Sequence, residues 1–297
     1  MSDLARDYQA LRTSAGAVGL ARDFVRVAGP DATTFLQGQL SQDVAGLAAG
    51  ASTWALLLHP QGKVVAFLRV LRVDGDVLVL ETDAGFGAAV IERLNRFKLR
   101  VKADLDPIDW RCVAIRGPRA HELAGGGAGT VVTADWPGLP GADLVGPSPE
   151  APAGVAECSL DAYEAVRIEA GIPVMGRELD EGTIPAEAGV VDRSVSFTKG
   201  CYTGQELVAR IDSRGGNVPR RLRGLVLMSD ALPPAGATLR ADGKEVGEVT
   251  SVGFSPGRGA PVALAYVRRA VEPPAEVEVV WDGGSSPARV EALPLVP

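Results

Sequence analysis

The 297-residue sequence predicts an α+β protein that ends in an all-β unit. Three observations carry this expectation. Over the first two-thirds of the chain, short apolar runs broken by Gly/Asp turns are interleaved with segments of helical apolar spacing, the pattern of sheets carrying helices on one face. From Arg220 onward the helical spacing disappears and only short strands with turn chemistry between them remain. Apolar residues make up 46% of the chain, enough to fill sizeable cores and to exclude wholesale disorder.

The elements follow in order. DFVRVAG (23–29) reads as a strand, after which Pro30 and Asp31 open an amphipathic helix carrying Phe35, Leu36 and Leu40. TWALLLHPQGKVVAFLRVLRVDGDVLVLET (53–82) contains two hairpin turns, PQGK and DGD, joining three antiparallel strands. Val90, Ile91, Leu94 and Phe97 recur at helical spacing within 85–100, and KLRVKADL (98–105) is expected to close the first unit as a strand. WRCVAIRG (110–117) starts a second unit and a short helix follows at 118–125. The Gly/Pro-rich stretches 124–130 and 136–154 are expected to be loops or hairpin ends. SLDAYEAVRIEAGIP (159–173) is a capped helix, with Ser159 or Asp161 at its start and Gly171 and Pro173 at its end. The strands at 221–228, 237–254, 261–270 and 275–281 then form a small barrel or sandwich. The expected division is 1–219, split near 105–110 into two α+β subdomains, and 220–297.

Acidic residues outnumber basic ones, 37 to 30, for a formal charge of −7, which argues against nucleic acid as the main partner. The N-terminal twenty residues lack the apolar core of a signal peptide, and no apolar run is long enough to span a bilayer, so a cytoplasmic location is expected. The three cysteines (Cys112, Cys158 and Cys201) are scattered and form no CxxC pair, which fits a reducing compartment and argues against a disulfide framework or zinc cage.

Few motifs carry chemistry. Gly85-x-Gly87 stands between a strand and a helix, as a dinucleotide fingerprint would, but Val90 occupies the third glycine position and the strand ends an antiparallel meander. An ordinary helix entry is the plainer reading. Patterns for a P-loop, an HExxH zinc site or a GxSxG nucleophile are missing, and only His59 and His121 could serve a cysteine as a base. Cys112 alternates with apolar neighbours and reads as a buried small hydrophobe, and Cys158 reads as a structural residue at a helix entry. Cys201 differs. Lys199 lies two residues away, where a cation would favour the reactive thiolate, and Gly200 and Gly204 permit turns that expose it. On local chemistry both an inert and a reactive Cys201 remain open.

Three stretches, FLQGQLSQDV (35–44), VRIEAGIPVMG with GTIPAEAGV (166–176 and 182–190), and SFTKGCYTGQELVAR (196–210), together resemble the YgfZ-type folate-binding proteins, relatives of the glycine-cleavage T-protein (aminomethyltransferase). The resemblance runs over nearly the whole chain, with KGCYTGQE its most specific element. It implies two α+β units and a C-terminal β-barrel around a central channel, with tetrahydrofolate or a derivative as ligand. It further implies Glu187 of IPAEAG as the contact of the pterin ring, where a carboxylate can accept two hydrogen bonds from an aminopyrimidine edge; the plain alternative is a helix-start residue. Arg210, Arg214, Arg220, Arg221 and Arg223 form the densest basic stretch. Arg221 is the expected clamp of the anionic folate tail, Tyr202 a further ligand contact, and most of the other arginines solvated.

Cys201 and Lys199 are the expected functional centre of a monomeric accessory protein for iron–sulfur cluster assembly or repair, with cluster enzymes of tRNA modification as partners. Iron–sulfur clusters normally take four ligands, so three scattered cysteines would touch a cluster only transiently or jointly with a partner. One departure stands out. The T-protein depends on an aspartate after a Gly-rich hairpin turn; here the matching positions fall near Ala66 and Phe67, and no carboxylate occurs between Lys63 and Arg69. Aminomethyl transfer is therefore expected to be absent, with folate binding retained.

Overall fold

The structure is a computed structural model that describes residues 3–297. In chain order the first elements are α1 (Asp3–Thr13), β1 (Gly16–Leu20), β2 (Arg22–Ala28), α2 (Ala32–Gln39), β3 (Ser52–Leu58), β4 (Val64–Asp74), β5 (Val77–Asp83), α3 (Gly87–Asn95) and β6 (Asp104–Ile108). They are followed by β7 (Arg111–Arg116), α4 (Ala120–Ala124), β8 (Ala128–Thr133), β9 (Gly141–Glu150), β10 (Ala156–Glu157), α5 (Leu160–Ala170), α6 (Val191–Ser194) and α7 (Gln205–Asp212). The last six strands are β11 (Arg220–Leu227), β12 (Thr238–Ala241), β13 (Lys244–Ser255), β14 (Ala260–Arg268), β15 (Ala275–Trp281) and β16 (Gly284–Glu291).

The fold is α+β, with two five-stranded sheets and a closed six-stranded barrel. The first sheet has the order β3-β4-β5-β2-β6. Its strands alternate: Val25, Val27, Ala66, Leu68 and Leu80 point to the face covered by Phe35, Leu36 and Leu40 around α2 and by Val90 and Leu94 of α3. Phe24, Leu71 and Val79 point the other way, onto Cys112, Val132 and Val145 of the second sheet. Phe67, next to Ala66, also faces away from the helices and joins a core shared with Val262, Leu264 and Tyr266 of the barrel.

The second sheet has the order β10-β1-β7-β9-β8, and the barrel closes as β11-β14-β13-β12-β15-β16. Helix α5 bridges them. Ser159 caps its start by accepting from Ala162 N, and Gly171 ends it at φ +73°, where a side chain would be strained. Buried Glu169 near the end of α5 accepts from Tyr8 of α1 at 3.0 Å and from Arg12 and the hydroxyl of Ser255 of β13, so one carboxylate ties three parts of the chain together.

Three expectations about elements change. The closing strand of the first unit is β6 rather than 98–105, because Arg100 turns the chain at φ 60° and pairing with β2 begins only at Asp104. Pro107 is tolerated there because β6 is an edge strand. The Gly/Pro-rich stretch 136–154 contains β9, an inner strand whose residues Gly141–Gly146 are buried between β7 and β8; the prolines that suggested a loop flank that part. The segment before β2 belongs to the second sheet, because β1 pairs with β7 and β10, so the chain starts in one α+β unit, builds the other and then returns. Among the described residues no helix is long and apolar enough to cross a membrane.

Candidate functional site

Two places gather the chemistry: a loop that presents Cys201 and a cleft where the two sheets meet α5 and α6. The loop is built against α2. A helix leaves its last carbonyls without intrahelical partners, and the Lys199 ammonium takes them up by donating to the carbonyl oxygens of Gln37, of Leu40 at 2.6 Å and of Gln42 at 3.2 Å. These bonds use all three ammonium protons, none of them on Cys201. Burial pulls the amine down to about 8, opposed by the charge of Asp43.

Ser41 adds a second tie. Its hydroxyl donates to the Ser194 carbonyl at 2.6 Å and accepts from Leu56 N at 2.8 Å, while its own carbonyl accepts from Ser196 N at 3.0 Å. The stretches 35–44 and 196–210, far apart in sequence, are thus one structural unit. Gly204, at φ +82°, lets α7 begin directly against the β3–β4 turn: a Cβ there would lie 2.5 Å from the His59 carbonyl oxygen.

On this braced loop Cys201 is exposed, and no side chain hydrogen bonds its sulfur among the described residues. The other thiols differ from it. Cys112 is buried between the sheets and pushed well up by desolvation, and Cys158 is half-buried and pushed up to about 11 by the same cause. His121 pairs with Asp135 at 2.7 Å, and His59 stands 4.0 Å from Glu181.

The remaining residues expected at the site are dispersed. Tyr202 is buried in the core shared with the barrel; its hydroxyl has no hydrogen-bond partner among the described residues, and desolvation raises it to about 12. Glu187 is 4% exposed and pairs with Arg220 Nε at 3.1 Å, while its carbonyl accepts from Leu222 N at 2.8 Å. It therefore holds the start of β11 and lines neither cavity described here. Arg221, next to that pair, donates to the Gly216 carbonyl at 2.7 Å and lines a cavity of about 150 Å³ between 184–192 and α7. That cavity has apolar walls from Ile184, Val191, Val208 and Ile211, with Asp192 and Asp212 beside them. Arg210 and Arg214 are exposed. The Gly85-x-Gly87 entry is closed from within: Asp23 Oδ2 accepts from Gly85 N at 2.9 Å and Gly87 N at 2.8 Å, so a carboxylate of the chain already occupies the place an anion would take.

The cleft was not evident from the sequence. Arg22, Trp54, Phe67, Asp143, Tyr163 and Arg193 stand among its walls, and it leaves only about 30 Å³ for solvent. Trp54 stacks on Phe67 with centroids 4.7 Å apart, and Arg193 covers Phe67 at 5.0 Å. Behind them Asp143 accepts from Arg69 at 2.8 Å and from Arg116 at 2.7 Å, and Arg69 also pairs with Glu81. Opposing guanidinium charges hold the Asp143 carboxyl below its usual range despite burial. Glu81, Cys112 and Asp143 lie close enough to share a metal ion, but the two carboxylates are already matched by arginines and the thiol is held protonated, so this donor set serves an ion-pair network. The clue in the sequence was Arg69 inside the apolar run VVAFLRV, since a charged residue in such a strand needs a partner.

Ala66 belongs to the helix-covered core and Phe67 to the cleft wall, so the strand expected to lack a catalytic carboxylate presents an aromatic ring at this surface. Comparison with known proteins places this architecture. The GCVT N-terminal domain matches residues 2–132, and the glycine cleavage T-protein C-terminal barrel domain matches residues 220–297. An aminomethyltransferase of Rubrobacter xylanophilus is 30% identical, over 97% of this chain and 85% of its own length. A probable aminomethyltransferase of Natronomonas pharaonis is also 30% identical, over 97% of this chain and 89% of its own. The crystal structure of glycine cleavage system aminomethyltransferase T from Bartonella henselae superposes with a TM-score of 0.83 over 99% of this chain and 89% of that one, at 23% identity, and so shares the fold. The chain belongs to the glycine-cleavage T-protein (aminomethyltransferase) family.

Proposed function

We propose that this protein is a folate-binding accessory protein of the YgfZ type, in which Cys201 supports iron–sulfur enzymes and which does not transfer aminomethyl groups. The observation that carries the reading is the contrast between β4 and the Cys201 loop. On β4 the positions matched to the T-protein aspartate are Ala66 in the core and Phe67 on the cleft wall, so no carboxylate is present there to manage the charge that aminomethyl transfer develops at the folate nitrogen. On the loop an exposed thiol stands on a backbone fixed by Lys199 and Ser41. Such a thiol is open to transient chemistry with a partner, and a mixed disulfide is one form it can take.

The proposed ligand is tetrahydrofolate or a derivative, as the family implies. Arg221 would hold the anionic tail from the wall of the 150 Å³ cavity. Glu187 positions the β11 start that carries Arg221, through its pair with Arg220, and remains the proposed pterin contact. Tyr202 lies beneath the Lys199 ammonium at 5.2 Å. The partners proposed are cluster-dependent enzymes, those modifying tRNA among them.

The alternative is a working folate-dependent aminomethyltransferase, favoured by the names of the relatives. One experiment separates the two. Tetrahydrofolate is titrated into the protein and then supplied with a methylamine donor, and the formation of methylene-tetrahydrofolate is followed. Binding without turnover is the expected result. Sustained turnover would overturn the accessory reading, and a failure to bind would remove folate from it.

A further inference from the structure

Four guanidinium groups stand on the cleft walls, those of Arg22, Arg116, Arg167 and Arg193. Three have carboxylate partners within the chain: Arg22 pairs with Asp83, Arg116 with Asp143 at 2.7 Å, and Arg167 with Glu164 at 2.9 Å. Arg193 has none. Its Nε is buried without a hydrogen-bond partner, and among the described residues no carboxylate pairs with it. Among the described residues it stands over the Phe67 ring at 5.0 Å, which attracts the cation but offers no acceptor for its N–H donors. Burial pulls its pKa down to about 10, which leaves it charged at neutral pH.

We propose that Arg193 is the anchor of a ligand carboxylate that enters this cleft, an anion site separate from the Arg221 cavity. Assigning that carboxylate to folate rests on the folate-binding reading given above and would move the anionic tail from the Arg221 cavity to this cleft; the anion site itself does not rest on that reading. A buried charge is costly until it is matched, and a carboxylate matches a guanidinium with two parallel hydrogen bonds. Size points the same way. The 30 Å³ left in the cleft suits a carboxylate-sized tip and falls far below the several hundred Å³ of a site that engulfs a whole small molecule. Trp54, stacked on Phe67, keeps in place the ring that the guanidinium covers. Asp192, the residue before Arg193 on α6, lines the Arg221 cavity instead, so α6 is the partition between the two cavities.

The test uses wild type, Arg193→Leu and Arg193→Gln in titration calorimetry and thermal melting. Three probes are compared: tetrahydrofolate, a tetrahydropterin lacking the p-aminobenzoyl-glutamate tail, and benzoate. The expected result is that at least one carboxylate-bearing probe binds both variants about 30-fold or more weakly, while the tetrahydropterin is unaffected. A loss confined to tetrahydrofolate assigns the carboxylate to folate; a loss on benzoate assigns the site to a separate small carboxylate. Unliganded Arg193→Leu is expected to melt no lower than wild type, since it removes an unmatched charge. Equal binding of both carboxylates by wild type and variants would overturn the proposal, as would their failure to bind wild type. So would a clear fall in melting temperature in both variants, which marks a packing role. Should wild type bind benzoate through Arg193 but not tetrahydrofolate, the folate reading fails and the anion site stands.

Discussion

In the ion-pair network behind the cleft, charge is matched to charge: Asp143 lies between Arg69 and Arg116, and Glu81 beside Arg69, all almost wholly buried. On the Cys201 loop the Lys199 ammonium gives its hydrogen bonds to carbonyl oxygens at and just past the end of α2, and Asp43 acts on it through charge without a hydrogen bond. The two arrangements serve different ends. Buried ion pairs fix the two sheets against each other, and removing one partner leaves the other desolvated and alone. Carbonyl dipoles hold the loop in place through hydrogen bonds to the ammonium, so the backbone is fixed while the neighbouring thiol stays exposed. The buried ion-pair network is therefore where substitutions should damage folding, and the loop is where they should damage function.

The comparison can be broken most forcefully at Asp143. Replacement by Ala takes the carboxylate partner from Arg116 and leaves Arg69 with Glu81 alone, and is expected to cost about 3–5 kcal/mol of stability, read as a fall in denaturation midpoint. The same carboxyl predicts an acid limb. Its folded pKa lies below the ordinary value of about 3.9, so its contribution is complete above that value and is lost as pH falls through the lower folded one. An Asn variant that retains the wild-type loss of stability below about pH 4 would contradict this.

Lys199→Met is the intermediate case. It leaves carbonyls of α2 without donors and is expected to cost about 2 kcal/mol. Hydrogen exchange should quicken at the amides of Lys199 and Ser196 more than in the barrel, and uniform exchange would place the lysine outside the brace. The smallest effect is expected at Cys201→Ala, within about 0.5 kcal/mol of wild type, because nothing packs on an exposed sulfur. In the folded protein, iodoacetamide should modify Cys201 well before Cys158 and Cys112; simultaneous modification would mean that the loop offers no special access.

Local chemistry made much of the fold legible. The spacing of Phe35, Leu36 and Leu40 placed α2, and Ser159 and Gly171 marked both ends of α5. The turn in RVDGDV joined β4 to β5. What stayed hidden depends on contacts distant in sequence. The four buried residues Ala142–Val145 of β9 sit among glycines and prolines that dominate the local signal, and their strand character shows only once β7 and β8 flank them. The membership of β1 in the second sheet is settled by partners near residues 112–116 and 156–157. At the site, Cys201 stood out through its glycines and lysine, yet the lysine's partners lie about 160 residues away, so its role as a helix-end brace was invisible. Arg193 gave no sign at all, because an unmatched charge is defined by what fails to surround it in space.

The central claim is that the loop exists to present a reactive thiol, while the carboxylate needed for aminomethyl transfer is missing. It is tested most directly in cells that lack their own protein of this type, by measuring the activity of an iron–sulfur tRNA methylthiotransferase after supplying wild type or Cys201→Ala at equal abundance. Restoration by wild type and not by the alanine variant is the predicted result. Full restoration by Cys201→Ala would contradict it.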